Sequence, residues 1–196
     1  MGYSLAGIEM VGVDINPQPH YPFEFIQADA LEVLRDREFL AGFDVIVASP
    51  TCQTWARATA WRGARSDHPD LLTPTLALLA QVEQPWVVEN VPEAVWAGAL
   101  RADYELCGTQ FGLRVRRHRA FQVGNWTPPA FDLPPHNCHR NPDVLPFMHK
   151  GERAYADAMG CTWMNNKEGR QAVPPAYTEF VGRHLMAALK EEELAA

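Results

Sequence analysis

Two short apolar runs each end in a group able to do chemistry. Phe43 to Ala48 leads into Ser49-Pro50-Thr51-Cys52-Gln53, and Trp86-Val87-Val88 leads into Glu89-Asn90. A thiol becomes a nucleophile once ionised. A carboxyl directly after three large apolar residues is expected to be partly buried, and burial raises its pKa until it can serve as a proton donor. If both runs are buried strands, both groups lie on the sheet edge where open α/β sheets bind their ligands. Each has a plainer alternative: Cys52 as an inert buried thiol, Glu89 as a helix cap or surface acid. Ser49-Pro50 breaks the strand and Gln53-Thr54 continues in polar sequence, which places the thiol near the surface of a cleft.

The elements around these groups follow from hydrophobic periodicity. Strands are expected over Met10–Ile15, Phe23–Gln27, Phe43–Ala48 and Trp86–Val88, with weaker strands over Tyr104–Cys107 and Ala120–Val123. Helices are expected over Ala30–Leu40, with Asp29 as its cap, over Leu71–Val82, with Pro74 in its first turn, and over Glu152–Met159 and Tyr177–Leu189. Residues 1–7 are too few for an independent element. Pro17, Pro19 and Pro22 exclude a helix between the first two strands. Residues 126–147, rich in Pro, Asn and His, read as an irregular insert. Strands alternating with helices predict an α/β domain with a parallel sheet covered on both faces. Asp14 and Asp29 end the first two strands, where a carboxylate commonly accepts hydrogen bonds from ribose hydroxyls; a turn or cap role is the plainer reading of each.

The chain has 196 residues, 47% of them hydrophobic, enough for one domain with a real core and too apolar for disorder. It has no apolar run of membrane-spanning length and no secretory signal pattern. Four dispersed cysteines, Cys52, Cys107, Cys138 and Cys161, point to reduced thiols and a cytoplasmic setting. The net charge of -7 argues against nucleic acid as a partner, but Arg114, Arg116, Arg117, His118 and Arg119 form a dense basic run able to hold phosphates. His136, Cys138, His139 and His149 in the insert match no common zinc spacing. No metal is expected, and Pro-rich loop packing is the alternative.

Taken in order, these motifs resemble those of the cytosine-5 methyltransferase family, of the small phage or bacterial type. Val11-Gly12-Val13-Asp14-Ile15 resembles the motif whose acid binds the ribose of S-adenosylmethionine. Gln27-Ala28-Asp29-Ala30 resembles the motif whose acid meets the adenine amino group. Ser49-Pro50-Thr51-Cys52-Gln53 resembles the nucleophile motif, usually Pro-Pro-Cys-Gln, with Thr51 as the departure. Glu89-Asn90-Val91 matches Glu-Asn-Val. Phe111-Gly112 with Arg117 and Arg119 resembles the Gln-x-Arg-x-Arg motif, but Val115 stands at the Gln position. Ala172-Val173-Pro174-Pro175 resembles the last motif, with Arg170-Gln171 where Gly-Asn is usual.

The resemblance implies a Rossmann-like methyltransferase sheet and one catalytic domain over residues 1–196, with the short insert 124–151 in place of a target-recognition domain. It implies that Cys52 attacks carbon 6 of a cytosine in DNA, that Glu89 protonates nitrogen 3, that Arg119 binds the base carbonyl, and that Arg117 braces the site or meets phosphate. Asp14, Ile15, Asp29, Ala30, Pro50 and Gln171 would line the S-adenosylmethionine site, while Asn90 and Gln53 would meet the substrate. The base must be flipped from a duplex, and loop 53–68, with Trp55, Arg57, Trp61, Arg62 and Arg65, suits closing on it. RNA as substrate and a non-catalytic nucleic-acid-binding relative are the alternatives.

The family's first central strand and its Gly-rich turn have no counterpart. Met1 to Gly7 resembles the middle or end of the first helix. A shortened form of an active enzyme, a partner chain or swapped element in a homodimer, and a relative with impaired cofactor binding each account for this. The first is favoured because the catalytic residues are intact. Weak cofactor binding and low stability are the corresponding expectations.

Overall fold

A computed structural model describes residues 1–57, 59, 67–128, 133, 135–136, 138 and 152–195. The strands are β1 (Val11–Asp14), β2 (Glu24–Gln27), β3 (Ile46–Ala48), β4 (Trp86–Asn90), β5 (Tyr104–Leu106) and β6 (Arg119–Gly124). The helices are α1 (Gly2–Leu5), α2 (Ala30–Val33), α3 (Arg37–Leu40), α4 (Leu72–Leu79), α5 (Pro92–Trp96), α6 (Glu152–Ala158), α7 (Asn166–Gln171) and α8 (Pro175–Ala195). Among the described residues, no helix is long and apolar enough to cross a membrane.

The architecture is mixed α/β. β4 lies inside a four-stranded sheet of order β3-β4-β6-β5. All five of its residues are buried, as a strand covered on both faces requires. Successive side chains alternate between faces. Trp86 and Val88 enter one core with Leu34, Leu40, Leu72 and Leu79 from α2, α3, α4 and the turns beside them. Val87 enters the other with Tyr3 of α1 and Tyr177, Val181 and Leu185 of α8. Those three α8 residues recur every four positions, one stripe of a helix.

Three expectations are corrected. The sheet is mixed, because β6 runs antiparallel to both β4 and β5; the tight turn through residues 107–118 returns the chain beside β5. The expected helix over Ala30–Leu40 is two helices, because Asp36 accepts a hydrogen bond from Phe39 N and starts α3 afresh. Asp29 caps α2 through Leu31 N, as expected. Residues 1–7 do contribute an element: α1 packs on α8, with Gly2 so close that a Cβ there would meet Thr178 and the Pro175 carbonyl.

β1 and β2 form a separate parallel pair. The proline-rich crossover between them folds back over β1, and Gly12 leaves room for the Tyr21 ring, which a Cβ would strike. Among the described residues no strand joins β1 to β3, so the unpaired edges of the two sheets carry free hydrogen-bonding groups.

Candidate functional site

β3 and β4 are parallel, in register Ile46↔Trp86 to Ala48↔Val88, so Cys52 and Glu89 do emerge at one end of the sheet. Glu89 and Asn90 stand inside β4 rather than after it. Asn90 is 1% exposed and joins the two segments. Its Nδ2 donates to the Pro50 carbonyl at 3.0 Å, and its Oδ1 accepts from Val91 N at 2.9 Å. With one bond made from each end of its amide, Asn90 fixes the Cys52 loop to the Glu89 strand. Pro50 serves that tether through its carbonyl, and Gln53 is exposed. The Cys52 carbonyl accepts from Trp55 N and Ala56 N, which holds the half-buried thiol on a turn.

Glu89 pairs with Arg119, Nε to Oε1 2.7 Å, with both side chains nearly enclosed. The pairing follows from register. Glu89 faces Phe121 across the β4·β6 ladder, so Arg119 is its diagonal neighbour on the same face. Burial pushes the Glu89 carboxyl up from its ordinary value, against the opposing pull of Arg119, Arg117 and a hydrogen bond with Ser49. Burial also raises the Cys52 thiol, opposed first by Arg119. The site therefore keeps a carboxyl that can take and give a proton beside a thiol that is not ionised at rest.

The basic run is not a surface patch. Arg114 is exposed, but Arg117 is 2% and Arg119 9% exposed. Arg117 donates from Nη2 to the Arg170 carbonyl at 2.9 Å and lies over the Tyr155 ring, and its own carbonyl accepts from Tyr177 Oη at 2.6 Å. It ties β6 to α6, α7 and α8. Of its two expected roles, bracing fits and phosphate contact does not. Val115, fully buried, packs with Tyr155, Met159 and Cys161. A glutamine there would put an amide into an apolar cluster. Val115→Gln should cost about 1–3 kcal/mol, read as a lowered urea midpoint at unchanged slope.

Asp14 ends β1, and its Oδ1 accepts from Asn16 N at 2.8 Å. Ile15 beside it is 64% exposed, and Gln27 Nε2 donates to the Ile15 carbonyl at 3.1 Å. Asp29 and Ala30, exposed, open α2 after β2, at the same end of this parallel pair. Gln171, also exposed, closes α7. An ion pair between His20 and Glu168, 2.9 Å, brings α7 to the crossover that follows Asp14. Asp14 and Asp29 thus end the two strands of the pair and do the turn and cap work of their plainer readings.

Loop 53–68 is closed at its base, where Thr54 Oγ1 donates to the His68 and Pro69 carbonyls at 3.1 and 3.0 Å. Trp55 is half-buried: it packs against the core and also lines the groove beside this loop. Arg57 is exposed, and Trp61, Arg62 and Arg65 lie outside the described residues. A groove of about 800 Å³ runs beside this loop, lined by Thr54, Arg57, His68, Asp70 and Trp96 among others. It starts two residues beyond Cys52 but does not include Cys52, Glu89 or Arg119. The side-chain chemistry, not the size of the groove, therefore locates the site.

One cluster escaped the sequence. Cys107, His118, His136 and Cys138 converge, with all four ligand atoms within 4.8 Å of one another. Of the four insert residues named from the sequence, whose spacing gave no metal pattern, His136 and Cys138 belong to the cluster; His139 and His149 lie outside the described residues. The missing signal was long-range: Cys107 and His118 flank a hairpin turn, and they meet only once β5 and β6 pair. Neither the family models nor the curated proteins compared with this chain give a match.

Proposed function

We propose that this chain is a methyltransferase that acts on carbon 5 of cytosine in DNA through a covalent adduct of Cys52. The observation that carries the reading is the buried Glu89–Arg119 pair at 2.7 Å, held to the Cys52 loop by Asn90. A nucleophile, a proton donor and a cation at one sheet end are what addition to a pyrimidine needs. The Cys52 thiolate forms a bond to carbon 6, and the ring electrons displaced toward nitrogen 3 are met by the proton from Glu89. The resulting enamine is nucleophilic at carbon 5. Arg119 offsets charge at the base carbonyl, and Arg117 braces the entry to β6 through the Arg170 carbonyl and the Tyr155 ring. After carbon 5 is alkylated, its proton leaves to solvent, Cys52 is expelled, and Glu89 recovers the nitrogen-3 proton.

S-adenosylmethionine would supply the electrophilic methyl group. The residues present suit its adenosine half: Asp14 for the ribose hydroxyls, the exposed face of Ile15 for the adenine, and Asp29 for its amino group. Ala30, Pro50 and Gln171 are the remaining residues that the reading assigns to it. Among the described residues no strand joins the two sheets, which is where the reading would put the family's first, central strand.

The test is mass spectrometry of nucleosides from a host without cytosine methylation of its own. Expression should produce 5-methyl-2'-deoxycytidine in DNA. The modified base in RNA alone would transfer the reading to RNA, and its absence from both would leave a non-catalytic relative.

A further inference from the structure

We propose that Cys107, His118, His136 and Cys138 form a structural zinc site that fastens the insert after β6 to the sheet. The proposal stands independently of the methyl-transfer reading. Half of the site is set by register. Leu106 pairs with Arg119 across the β5·β6 ladder, so Cys107 and His118 are the next opposed residues beyond it. The other half is a short His-x-Cys segment from the insert. Leu133, Pro135 and His136 are exposed, whereas Cys138 between the sheet and this segment is 1% exposed.

The dimensions suit the ion. His118 Nε2 and His136 Nε2 are 3.0 Å apart, and Cys138 Sγ is 3.8 Å from His118 Nε2. Ligand atoms around a tetrahedral zinc stand about 3.3 Å apart for two nitrogens and about 3.6 Å for nitrogen and sulfur, from the usual bond lengths. Two thiolates and two imidazoles are a common structural zinc set and suit neither magnesium nor calcium. A supporting layer is present. Thr109 Oγ1 donates to Cys107 Sγ at 3.4 Å, and Gln110 Oε1 accepts from Cys107 N at 2.7 Å. Such outer contacts orient metal ligands. Four protein ligands leave no open position, so the metal would hold structure rather than activate water.

Its placement links it to the site. His118 lies between Arg117 and Arg119, and Arg119 Nη1 donates to the His118 carbonyl at 2.7 Å. A metal at His118 would fix the strand entry that aims both arginines and would anchor the otherwise irregular insert beside them.

The full chain, untagged and purified under reducing conditions from zinc-supplemented cells, is the material for the test. Elemental analysis should find about one zinc per chain. Cobalt-exchanged protein should show the visible bands and sulfur charge-transfer absorption of a tetrahedral thiolate site. His136→Ala and Cys138→Ser, both in the insert, should lower the zinc content at least about tenfold while far-ultraviolet circular dichroism is kept. Cys52→Ser should leave it unchanged. No zinc in the wild-type chain, with none taken up on titration, would overturn the site. So would full zinc content in folded Cys138→Ser, or loss of zinc in Cys52→Ser alone.

Discussion

Cys52→Ala should lower methyl transfer by at least about 10³-fold while the protein keeps its fold, because removal of a covalent nucleophile leaves only binding and electrostatics to act. The substitution removes one sulfur from a half-buried position on a turn whose hydrogen bonds are made by the backbone, so the stability cost should be small. No other described thiol can substitute. Cys107, Cys138 and Cys161 are buried, and the first two belong to the Cys/His cluster. The measurement is transfer of labelled methyl groups to DNA. A second readout separates chemistry from binding. DNA carrying 5-fluorocytosine cannot lose a carbon-5 proton, so it should remain covalently attached to the wild-type chain and not to Cys52→Ala. Residual transfer within tenfold of wild type, or an adduct on the alanine variant, would remove Cys52 from its assigned role.

Local chemistry was the legible part of this sequence. Apolar runs followed by breaks gave β3, β4 and their reactive neighbours, and the alternation in Trp86-Val87-Val88 shows in the structure as one strand feeding two cores. Pairing over distance was not legible. That β6 runs antiparallel is fixed by the hairpin turn after β5, which no periodicity reports. The same limit hid the Glu89–Arg119 diagonal, in which a strand residue meets one 30 positions later, and the meeting of Cys107 with Cys138. Burial of charge also misled: five basic residues within six positions look like a solvated, phosphate-binding run, whereas a β-strand start turned two of them inward. An arginine cluster read from sequence is a statement about charge, and the fold decides whether it faces a ligand or a neighbour.

The split sheet divides the candidate site between two units. Glu89, Arg119, Asn90 and the Cys52 loop belong to the four-stranded unit and share its buried ladder. Asp14 and Asp29 belong to the β1·β2 pair, joined to the cores through Leu34 after α2 and Met10 before β1, and to α7 by the exposed His20–Glu168 contact. Exposed pairs of this type contribute little. In the proposed reading the groups that would attack the base thus share one buried ladder, whereas the carboxylates assigned to the adenosine lie on the separate pair.

Glu89→Gln should change the shape of the pH–rate profile as well as its height. From ordinary values of 4.5 and 9.0, burial raises both the Glu89 carboxyl and the Cys52 thiol. Attack requires the thiolate and the protonated carboxyl together, so it draws on the minor form wherever the carboxyl loses its proton before the thiol does. Between the two pKa values the gain in thiolate with pH cancels the loss of protonated Glu89, and the rate is level. Below the Glu89 pKa the acid is already protonated and further acid only removes thiolate, so the rate falls. Above the Cys52 pKa the thiolate is complete and further base only removes the proton donor, so the rate falls again. The acid limb thus reports Glu89 and the alkaline limb Cys52. An amide at position 89 cannot titrate. The variant's rate should rise continuously through the range that was level, then plateau without an alkaline fall. Its plateau should begin at lower pH than the wild-type alkaline limb, because the Glu89 charge that holds the Cys52 thiol up is gone and Arg119, freed of its partner at 2.7 Å, favours the thiolate. At neutral pH the loss should be about 10²–10⁴-fold, the usual worth of a positioned proton donor. Single-turnover rates for both proteins across the pH range decide it, and an unchanged bell in Glu89→Gln would show that the carboxyl moves no proton in this reaction.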